Sequence, residues 1–201
     1  MALERKHDTK MSVSDFFDLV ATDPHNRYEY IDGEVRMMTG GKPRHAAIGN
    51  NIGSILHNLL RSRLCMVFNS DVCVKLSETR YVCPDATVSC DPRDRDAGNE
   101  DEEEERFIHY PCLVVEVLSS GTKSYDRGVK SHLYQDCPTI QEYLLIDTEA
   151  PKVQLYRRES SELWTIHLLP LDGTVELTSI GVSFPVAEIY EKTCFDLQQR
   201  Q

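Results

Sequence analysis

The stretch Pro111-Cys-Leu-Val-Val-Glu-Val-Leu-Ser119 is the part of the sequence on which the predicted fold depends. Residues 113–118 form a valine-rich apolar run that only Glu116 interrupts, without the alternation of apolar and polar residues typical of a half-exposed strand. Such a run predicts a strand buried on both faces, at the centre of a covered sheet. Because an isolated buried carboxylate is costly, Glu116 requires a cation, a metal ion or a proton as its partner.

The composition is that of a globular protein, with 201 residues, 40% hydrophobic and 27% charged. This length predicts one domain over residues 1–201, with a disordered tail at 1–10 and a C-terminal tail at 192–201. The charged start and the lack of any apolar run near ~20 residues predict a cytoplasmic protein with no membrane contact. The seven cysteines form no CxxC pair and lie mostly in apolar segments, so we expect reduced core residues, not disulfides or a zinc site.

The net charge of −11 is unevenly distributed. Residues 91–106 contain nine acids and three arginines but almost no apolar side chains, which predicts a solvated acidic surface loop. Binding of a basic partner is one use for such a loop. The rest of the chain is only mildly acidic, so the overall charge disfavours a nucleic-acid partner but still permits a locally basic groove.

Strands and helices are mixed along the chain. Asp32-Gly33 between two β-prone runs predicts a hairpin, and residues 44–63 predict a long amphipathic helix. A second helix is expected at 124–137, directly after the central strand. Further strands are predicted at 65–75, 81–90, 140–147, 152–158 and 163–169. Together these elements predict an α/β (α+β) fold in which helices flank a mixed β-sheet.

Two further residues join Glu116 as candidates for chemistry. Asp85 directly follows a proline, where strand pairing is loosened. Lys130 lies on the helix after the central strand, and Asp126, Lys130 and Tyr134 share one helix face at i, i+4 and i+8. Each residue also has a simpler interpretation. Asp85 would be a turn aspartate, Glu116 would form a buried salt bridge to an arginine, and Lys130 would form a surface ion pair with Asp126.

Taken together, two acids on neighbouring strands and a lysine fit phosphodiester hydrolysis. Mg²⁺ prefers carboxylate oxygens and water, usually with only one or two protein carboxylates. A bound metal makes water a better nucleophile and offsets charge on the phosphate. A nearby lysine adds positive charge for the transition state or orients the attacking water. Asp85 and Glu116 are thus the candidate metal ligands and Lys130 the candidate electrostatic group.

Several short motifs occur along the chain in a specific order. They are Tyr28-Glu-Tyr-Ile-Asp-Gly-Glu34, Pro43-Arg-His45, Pro84-Asp85, Val114-Val-Glu116-Val-Leu118-Ser, Asp126-Arg-Gly-Val-Lys130, Tyr134 and Glu142-Tyr-Leu-Leu-Ile-Asp147. Their order and spacing resemble the Uma2 endonuclease family of the PD-(D/E)xK restriction-endonuclease-like superfamily. The resemblance implies a restriction-endonuclease-like mixed sheet flanked by helices. It also implies a metal-dependent endonuclease that hydrolyses DNA with Mg²⁺ or Mn²⁺.

The resemblance also implies roles for individual residues. Asp85 and Glu116 would hold the metal, with the backbone carbonyl of Val117 as a further ligand. The superfamily's usual lysine lies two residues after the second acid, where this chain has a leucine. The Uma2 pattern moves the lysine into the next helix, to Lys130, with Lys123 as the local rival.

Three more residues are assigned roles at the predicted site. Glu34 would reach the metal through water, and His45 would contact phosphate or relay a proton at the start of the long helix. A solvent-facing hairpin glutamate and an ordinary helix-start histidine are their simpler interpretations. Asp126 is expected to orient Lys130 and not to bind the metal.

Two other functions compete with the nuclease. One is a non-catalytic binding or regulatory module on the same fold, which the acidic surface favours. The other is a metal-dependent hydrolase of a different phosphate ester. The intact set of Asp85, Glu116 and Lys130 favours the nuclease, and a positive groove away from residues 91–106 would support it further. Many nucleases of this type cut as pairs, so a homodimer is also permitted.

Overall fold

The computed structural model describes residues 10–38, 41–95, 106–119, 121 and 123–195. The tails predicted at both ends therefore lie outside the described residues, apart from residue 10 and residues 192–195. Most of the predicted acidic loop also lies outside them. No helix in the described part of the chain is both long enough and apolar enough to cross a membrane.

The helical and extended elements follow one another along the chain in mixed order. The helices are α1 (Val13–Thr22), α2 (Pro43–Leu60), α3 (Lys123–Tyr125), α4 (Ser131–Asp136) and α5 (Val186–Ile189), with a 3-10 turn at Pro92–Asp94 and a π-helical segment at Asp126–Lys130. The strands are β1 (Tyr28–Ile31), β2 (Glu34–Met37), β3 (Met66–Asn69), β4 (Cys73–Ser77), β5 (Arg80–Val82), β6 (Ala86–Ser89), β7 (Phe107–Ile108), β8 (Leu113–Leu118), β9 (Glu142–Asp147), β10 (Lys152–Arg158), β11 (Trp164–Pro170), β12 (Thr174–Leu177) and β13 (Val182–Pro185).

The described strands form three sheets. A six-stranded sheet has the order β11-β10-β9-β8-β6-β3, a five-stranded sheet the order β2-β1-β5-β4-β7, and β12 pairs with β13. In the six-stranded sheet β8 runs parallel to β9 and antiparallel to β6, so the sheet is mixed. The predicted fold class, a mixed sheet core flanked by helices, is confirmed.

Strand β8 is the central strand that the sequence predicted, and all six of its residues are buried. The alternation of side chains across a strand divides it between two cores. Val115 and Val117 pack in one core with the apolar stripe of α2. Val114 and Leu118 pack in the other core with α4. Burial of each such valine or leucine stabilises the fold by roughly 1.5–3 kcal/mol, and β8 provides buried residues to both cores.

The four strands from β3 to β6 form one long hairpin whose two halves belong to different sheets. The expectation of two continuous strands at 65–75 and 81–90 is wrong, because each is broken into two shorter strands. Strands β3 and β6 pair in the six-stranded sheet, whereas β4 and β5 pair in the five-stranded sheet. One break falls at Pro84, which has no N–H to donate to a ladder. Asp85 therefore emerges where the chain passes from one sheet to the other.

The helix predicted at 124–137 is present, but it is not a regular α-helix. A short α-helical turn at Lys123–Tyr125 leads into the π-helical segment Asp126–Lys130 and then into α4. Single π-helical turns inside α-helices are rare and occur frequently at functional sites. This one begins at Asp126 and ends at Lys130, and both are expected site residues.

The carboxylate of Asp94 links described residues on the two sides of the acidic stretch. Asp94 accepts a hydrogen bond from the hydroxyl of Ser89 and from the backbone N–H groups of His109 and Tyr110, at 2.5, 2.9 and 3.0 Å. The expectation that every acid of residues 91–106 is simply solvated is therefore wrong for Asp94. Its hydrogen bonds connect the end of β6 to the chain that leads into β8.

Four cysteines form two disulfides, Cys65–Cys90 and Cys73–Cys83. This overturns the expectation that all seven cysteines are reduced. The partners lie one position beyond paired residues of β3 with β6 and of β4 with β5, so each pair stands at opposing positions of neighbouring antiparallel strands. That cross-strand proximity depends on strand register, which cysteine spacing alone does not reveal. The free cysteines are Cys112, Cys137 and Cys194.

Alkylation of the denatured protein without reductant is expected to modify only the three free cysteines, because a disulfide sulfur does not react with iodoacetamide. Reduction first should raise the number to seven, as counted by intact-mass spectrometry. A Cys65→Ser variant should expose Cys90 as a fourth reactive thiol. Seven modified cysteines in unreduced wild-type protein would restore the original expectation of reduced cysteines.

Candidate active site

A cavity of about 810 Å³ lies against α2, β6 and β8. Six of the predicted site residues line it: His45, Asp85, Glu116, Val117, Asp126 and Lys130. They come from separate segments, namely the start of α2, the residue before β6, the end of β8 and the π-helical segment. The fold therefore brings together residues that lie up to 85 positions apart in the sequence.

Asp85 and Glu116 stand at opposing positions of the β6–β8 pair, one residue beyond the registered pair of Ala86 and Val115. The backbone N–H of Val117 donates to Asp85 Oδ2 at 2.7 Å. This hydrogen bond fixes the carboxylate of Asp85 against the end of β8. Glu116 thus lies on β8 and Asp85 one residue before β6, the neighbouring strand, and both residues line the same cavity.

Glu116 contacts Lys130, so a cation is one partner of its buried carboxylate. Lys130 Nζ lies 2.9 Å from Glu116 Oε1 and 3.8 Å from Asp126 Oδ1. The hydroxyl of Tyr134 donates to the same oxygen of Glu116. Lys130 is only 1% exposed, so the simpler interpretation of a surface ion pair with Asp126 is wrong. The expectation of an arginine partner for Glu116 is also wrong, because Lys130 takes that position.

Glu29 is a site residue that the sequence reasoning did not assign. Its Oε1 lies 2.7 Å from Lys130 Nζ and accepts the backbone N–H of Cys83 at 3.0 Å, while Tyr125 OH donates to its Oε2 at 3.1 Å. A usable signal was present, because Glu29 lies between two tyrosines in a β-prone run, much as Glu116 interrupts its apolar strand. No comparable signal identified Tyr125.

The buried cluster contains more negative than positive charge. Glu29, Glu116 and Asp126 surround one ammonium group, and all four side chains are at most 5% exposed. Burial raises the pKa of Glu116, and the neighbouring acids raise it further, whereas the attraction of Lys130 opposes both effects. Burial alone would lower the pKa of Lys130, but Glu116 and Glu29 outweigh it and raise that pKa, so Lys130 remains a cation.

His45 lies in the first turn of α2, with Nε2 3.4 Å from Asp85 Oδ2. The interaction with Asp85 raises the pKa of His45, and partial burial of the ring opposes this shift. The histidine is therefore held beside the candidate metal ligand, at a helix N-terminus whose free backbone N–H groups favour anions. This position is compatible with the predicted contact to a phosphate.

Two residues considered from the sequence lie elsewhere. Glu34 is exposed on β2, opposite Ile31, and does not line the cavity. Ile31 is two residues along β1 from Glu29, so Glu34 sits roughly 7 Å nearer the hairpin turn than the buried glutamate. Lys123, the rival of Lys130, instead contacts Asp147 at the end of β9 at 2.8 Å, and neither residue lines the cavity.

A divalent cation fits this site on the chemistry of its donors. Among the described residues, no group of three or more His, Cys, Asp or Glu side chains has metal-site geometry. Two carboxylates are nevertheless sufficient for Mg²⁺, which keeps several of its waters. Asp85 and Glu116 provide these carboxylates at the cavity wall, and the surplus of acids over Lys130 favours an added positive charge.

Comparison with known proteins identifies a matching family and two related proteins. Residues 13–187 match the model of the Uma2 family, described as "Putative restriction endonuclease". The "Uncharacterized protein slr1290" of Synechocystis sp. (strain ATCC 27184 / PCC 6803 / Kazusa) is 39% identical over 170 residues, 84% of this chain and 86% of that protein. The "Uncharacterized protein sll1609" of the same organism is 28% identical over 140 residues, 69% and 76% of the two chains.

A solved structure shares the fold. It is described as "Crystal structure of a putative nuclease belonging to DUF820 from Anabaena variabilis ATCC 29413". It matches with a TM-score of 0.68 and 20% identity, over 89% of this chain and 97% of that chain. At this level of identity the likeness concerns the architecture alone.

Proposed function

This chain belongs to the Uma2 family, and from that membership and the geometry of the cavity we propose that it is a metal-dependent DNA endonuclease. The observation that carries the proposal is the opposed pair of Asp85 and Glu116 on the cavity wall, backed by the buried ammonium of Lys130. Carboxylates on neighbouring strands with an adjacent lysine are the groups that phosphodiester hydrolysis requires.

Asp85 and Glu116 would hold Mg²⁺ or Mn²⁺, with the backbone carbonyl of Val117 as a further ligand. When bound, the metal would supply a more acidic water and positive charge opposite the phosphate. The hydrogen bond from the N–H of Val117 to Asp85 holds the two predicted ligands at a fixed separation. This contact would limit the rearrangement of Asp85 when a cation binds.

Lys130 would stabilise negative charge that develops on the phosphate, or orient the attacking water. Its contacts with Glu29, Glu116 and Asp126 keep it charged and fix its position at the cavity wall. Such fixed charges in a low-dielectric site stabilise a transition state without reorganisation. Asp126 acts in this proposal as an orienting group for Lys130. His45 donates to a phosphate oxygen from the start of α2.

The charge of the cavity also supports a second candidate function. Three lysines and arginines line the described cavity, Arg27, Lys42 and Lys130, against three acids, Asp85, Glu116 and Asp126. The described wall of this cavity is therefore not the strongly positive groove that would distinguish a duplex-cutting nuclease. This balance favours a non-catalytic binding module as the alternative, and the two functions differ in whether a purified protein cleaves DNA.

A DNA substrate would place the protein in the cytoplasm, as expected from the sequence. Disulfides are rare in that compartment in most organisms. Trapping free thiols in intact cells before purification tests whether Cys65–Cys90 and Cys73–Cys83 form there.

Removal of divalent cations is expected to reduce cleavage to the level of a protein-free control, because Asp85 and Glu116 cannot act on a phosphate without a cation between the like charges. Incubation with unlabelled single-stranded and plasmid DNA, resolved on gels, measures this. Activity should return when Mn²⁺ or Mg²⁺ is added back after EDTA. Cleavage that persists in excess EDTA, or no cleavage with either metal, contradicts the proposal and favours the binding module.

A further inference from the structure

The cavity extends beyond the candidate active site along one face of α2. The residues of α2 that line it recur at helical spacing: Ala46, Gly49, Asn50, Gly53, Ser54, His57 and Asn58. The other face carries Ile48, Ile52 and Leu56, which are completely buried in the core. One helix therefore serves both the core and the cavity. His45 and His57 lie ~18 Å apart along its axis, at 1.5 Å per residue.

Two glycines in the middle of this face are not required by packing. A Cβ atom added at Gly49 or Gly53 would have no heavy atom within 4 Å. Glycine inside a helix is less favourable than alanine by about 1 kcal/mol, so each position lowers the stability of α2 without a packing reason. Glycine does, however, leave room for another molecule to approach the helix backbone closely.

The positive groups of the cavity are too few for a duplex. Lys130 is surrounded by carboxylates, and Arg27 donates to the carbonyl of Ser70. Binding of duplex DNA depends on neutralising several phosphates with lysine and arginine. Apart from these two groups, the exposed Lys42 is the one lysine or arginine on the described cavity wall.

The rest of the described wall combines small and apolar residues with uncharged hydrogen-bonding side chains and one phenyl ring. Asn50, Asn58 and His57 are exposed on α2, and Phe68 of β3 is half-buried in the same cavity. Amide side chains hydrogen-bond to base edges, and aromatic rings stack on bases that are not paired. A run of ~18 Å accommodates about five stacked nucleotides at 3.4 Å each.

We propose that this face of α2, with Phe68 on the facing wall, binds an unpaired nucleic-acid strand that leads to the scissile phosphate at Asp85. The proposal rests on the proposed function and names its substrate class, a single strand or a locally unpaired segment. With few cations on this wall, contacts to the bases would have to supply much of the affinity, and only unpaired bases expose their faces and pairing edges for such contacts. The glycines allow the strand to lie directly against the helix.

The test compares Gly53→Leu with Ala47→Leu. Both substitutions place the same side chain on α2, but Ala47 is exposed and lies outside the cavity. Both replace a residue by a good helix former, and thermal unfolding followed by circular dichroism verifies that the variants fold. Binding is measured by fluorescence anisotropy in EDTA, with a labelled DNA strand of about 12 nucleotides, within the range of known single-strand sites. The same strand annealed to its complement and an RNA strand of the same sequence are the other two probes.

Wild-type protein is expected to bind the single strand at least about tenfold more tightly than the duplex. Gly53→Leu should weaken single-strand binding about tenfold, equivalent to the loss of one base-stacking contact, while Ala47→Leu stays within about twofold. Equal affinity for strand and duplex, no binding of either strand, or equal binding by the two variants overturns the inference. The wild-type comparison decides the matter even if Gly53→Leu does not fold.

Failure of this inference can be distinguished from failure of the proposed function. A protein that binds the single strand through the α2 face but never cleaves it with Mg²⁺ or Mn²⁺ loses the nuclease assignment and keeps this inference. A protein that cleaves duplex DNA equally well with and without Gly53→Leu keeps the assignment and loses the inference. Binding of the RNA strand alone supports an unpaired substrate and contradicts DNA as that substrate.

Discussion

Replacement of Asp85 by asparagine is expected to lower the rate of metal-dependent DNA cleavage by about a thousandfold or more. The size of this effect is that of removing a principal electrostatic group from an active site. Asparagine has nearly the same shape, and its side-chain oxygen can still accept the N–H of Val117, so the fold should be preserved. The lost negative charge removes one of the two predicted metal ligands.

Initial cleavage rates in Mn²⁺ measure this effect, with circular dichroism to compare the folds. Asp18→Asn is a matched control, because Asp18 is exposed on α1 and does not line the cavity. It should cleave at the wild-type rate. If Asp85→Asn retains the wild-type rate, the catalytic site lies elsewhere and Asp85 is only the turn aspartate of its simpler interpretation.

Replacement of Lys130 by methionine is expected to lower the free energy of unfolding by about 3–5 kcal/mol, the usual effect of removing one partner from a buried ion pair. Methionine retains much of the volume and packing of the lysine stem. Glu29, Glu116 and Asp126 would then be left buried without the ammonium they share. Cleavage should be lost as well, because the same charge faces the cavity.

Urea unfolding followed by tryptophan fluorescence and circular dichroism measures the loss of stability. Lys152→Met is the control, since Lys152 is exposed on β10, and surface changes of this kind usually stay within about 0.5 kcal/mol. Equal stabilities for the two variants would mean that the buried carboxylates are protonated and do not depend on Lys130. That result would contradict the charge distribution inferred for the site.

Local patterns were sufficient to predict the elements that position the two acids. The unbroken apolar run of β8 predicted a strand covered on both sides, and its one carboxylate identified Glu116. Pro84 indicated interrupted pairing, which places Asp85 where the hairpin changes sheets. The Asp32-Gly33 hairpin also formed as predicted, with both residues at positive φ. Each of these predictions depends on neighbours in the sequence.

The remaining features depend on which distant segments meet. Glu29 contacts Lys130 although the two residues lie 101 positions apart in the sequence, and β1, which carries Glu29, is held in its sheet by pairing with β5. The two disulfides require the strand registers of β3 with β6 and of β4 with β5. Glu34 illustrates the opposite error, because a motif position suggested a role that its place near the hairpin turn does not support. Sequence spacing carries no information about such tertiary proximity.

Calorimetric titration of wild-type protein and Asp85→Asn with Mn²⁺ tests the central claim most directly, since it requires no knowledge of the DNA sequence that is cut. The account predicts a saturable heat of binding for wild type and none for Asp85→Asn, with Asp18→Asn unchanged. Identical titrations of wild type and Asp85→Asn would contradict it. So would wild-type protein that binds no Mn²⁺ either alone or with an added DNA strand, because the acids opposed across β6 and β8 would then not form a metal site.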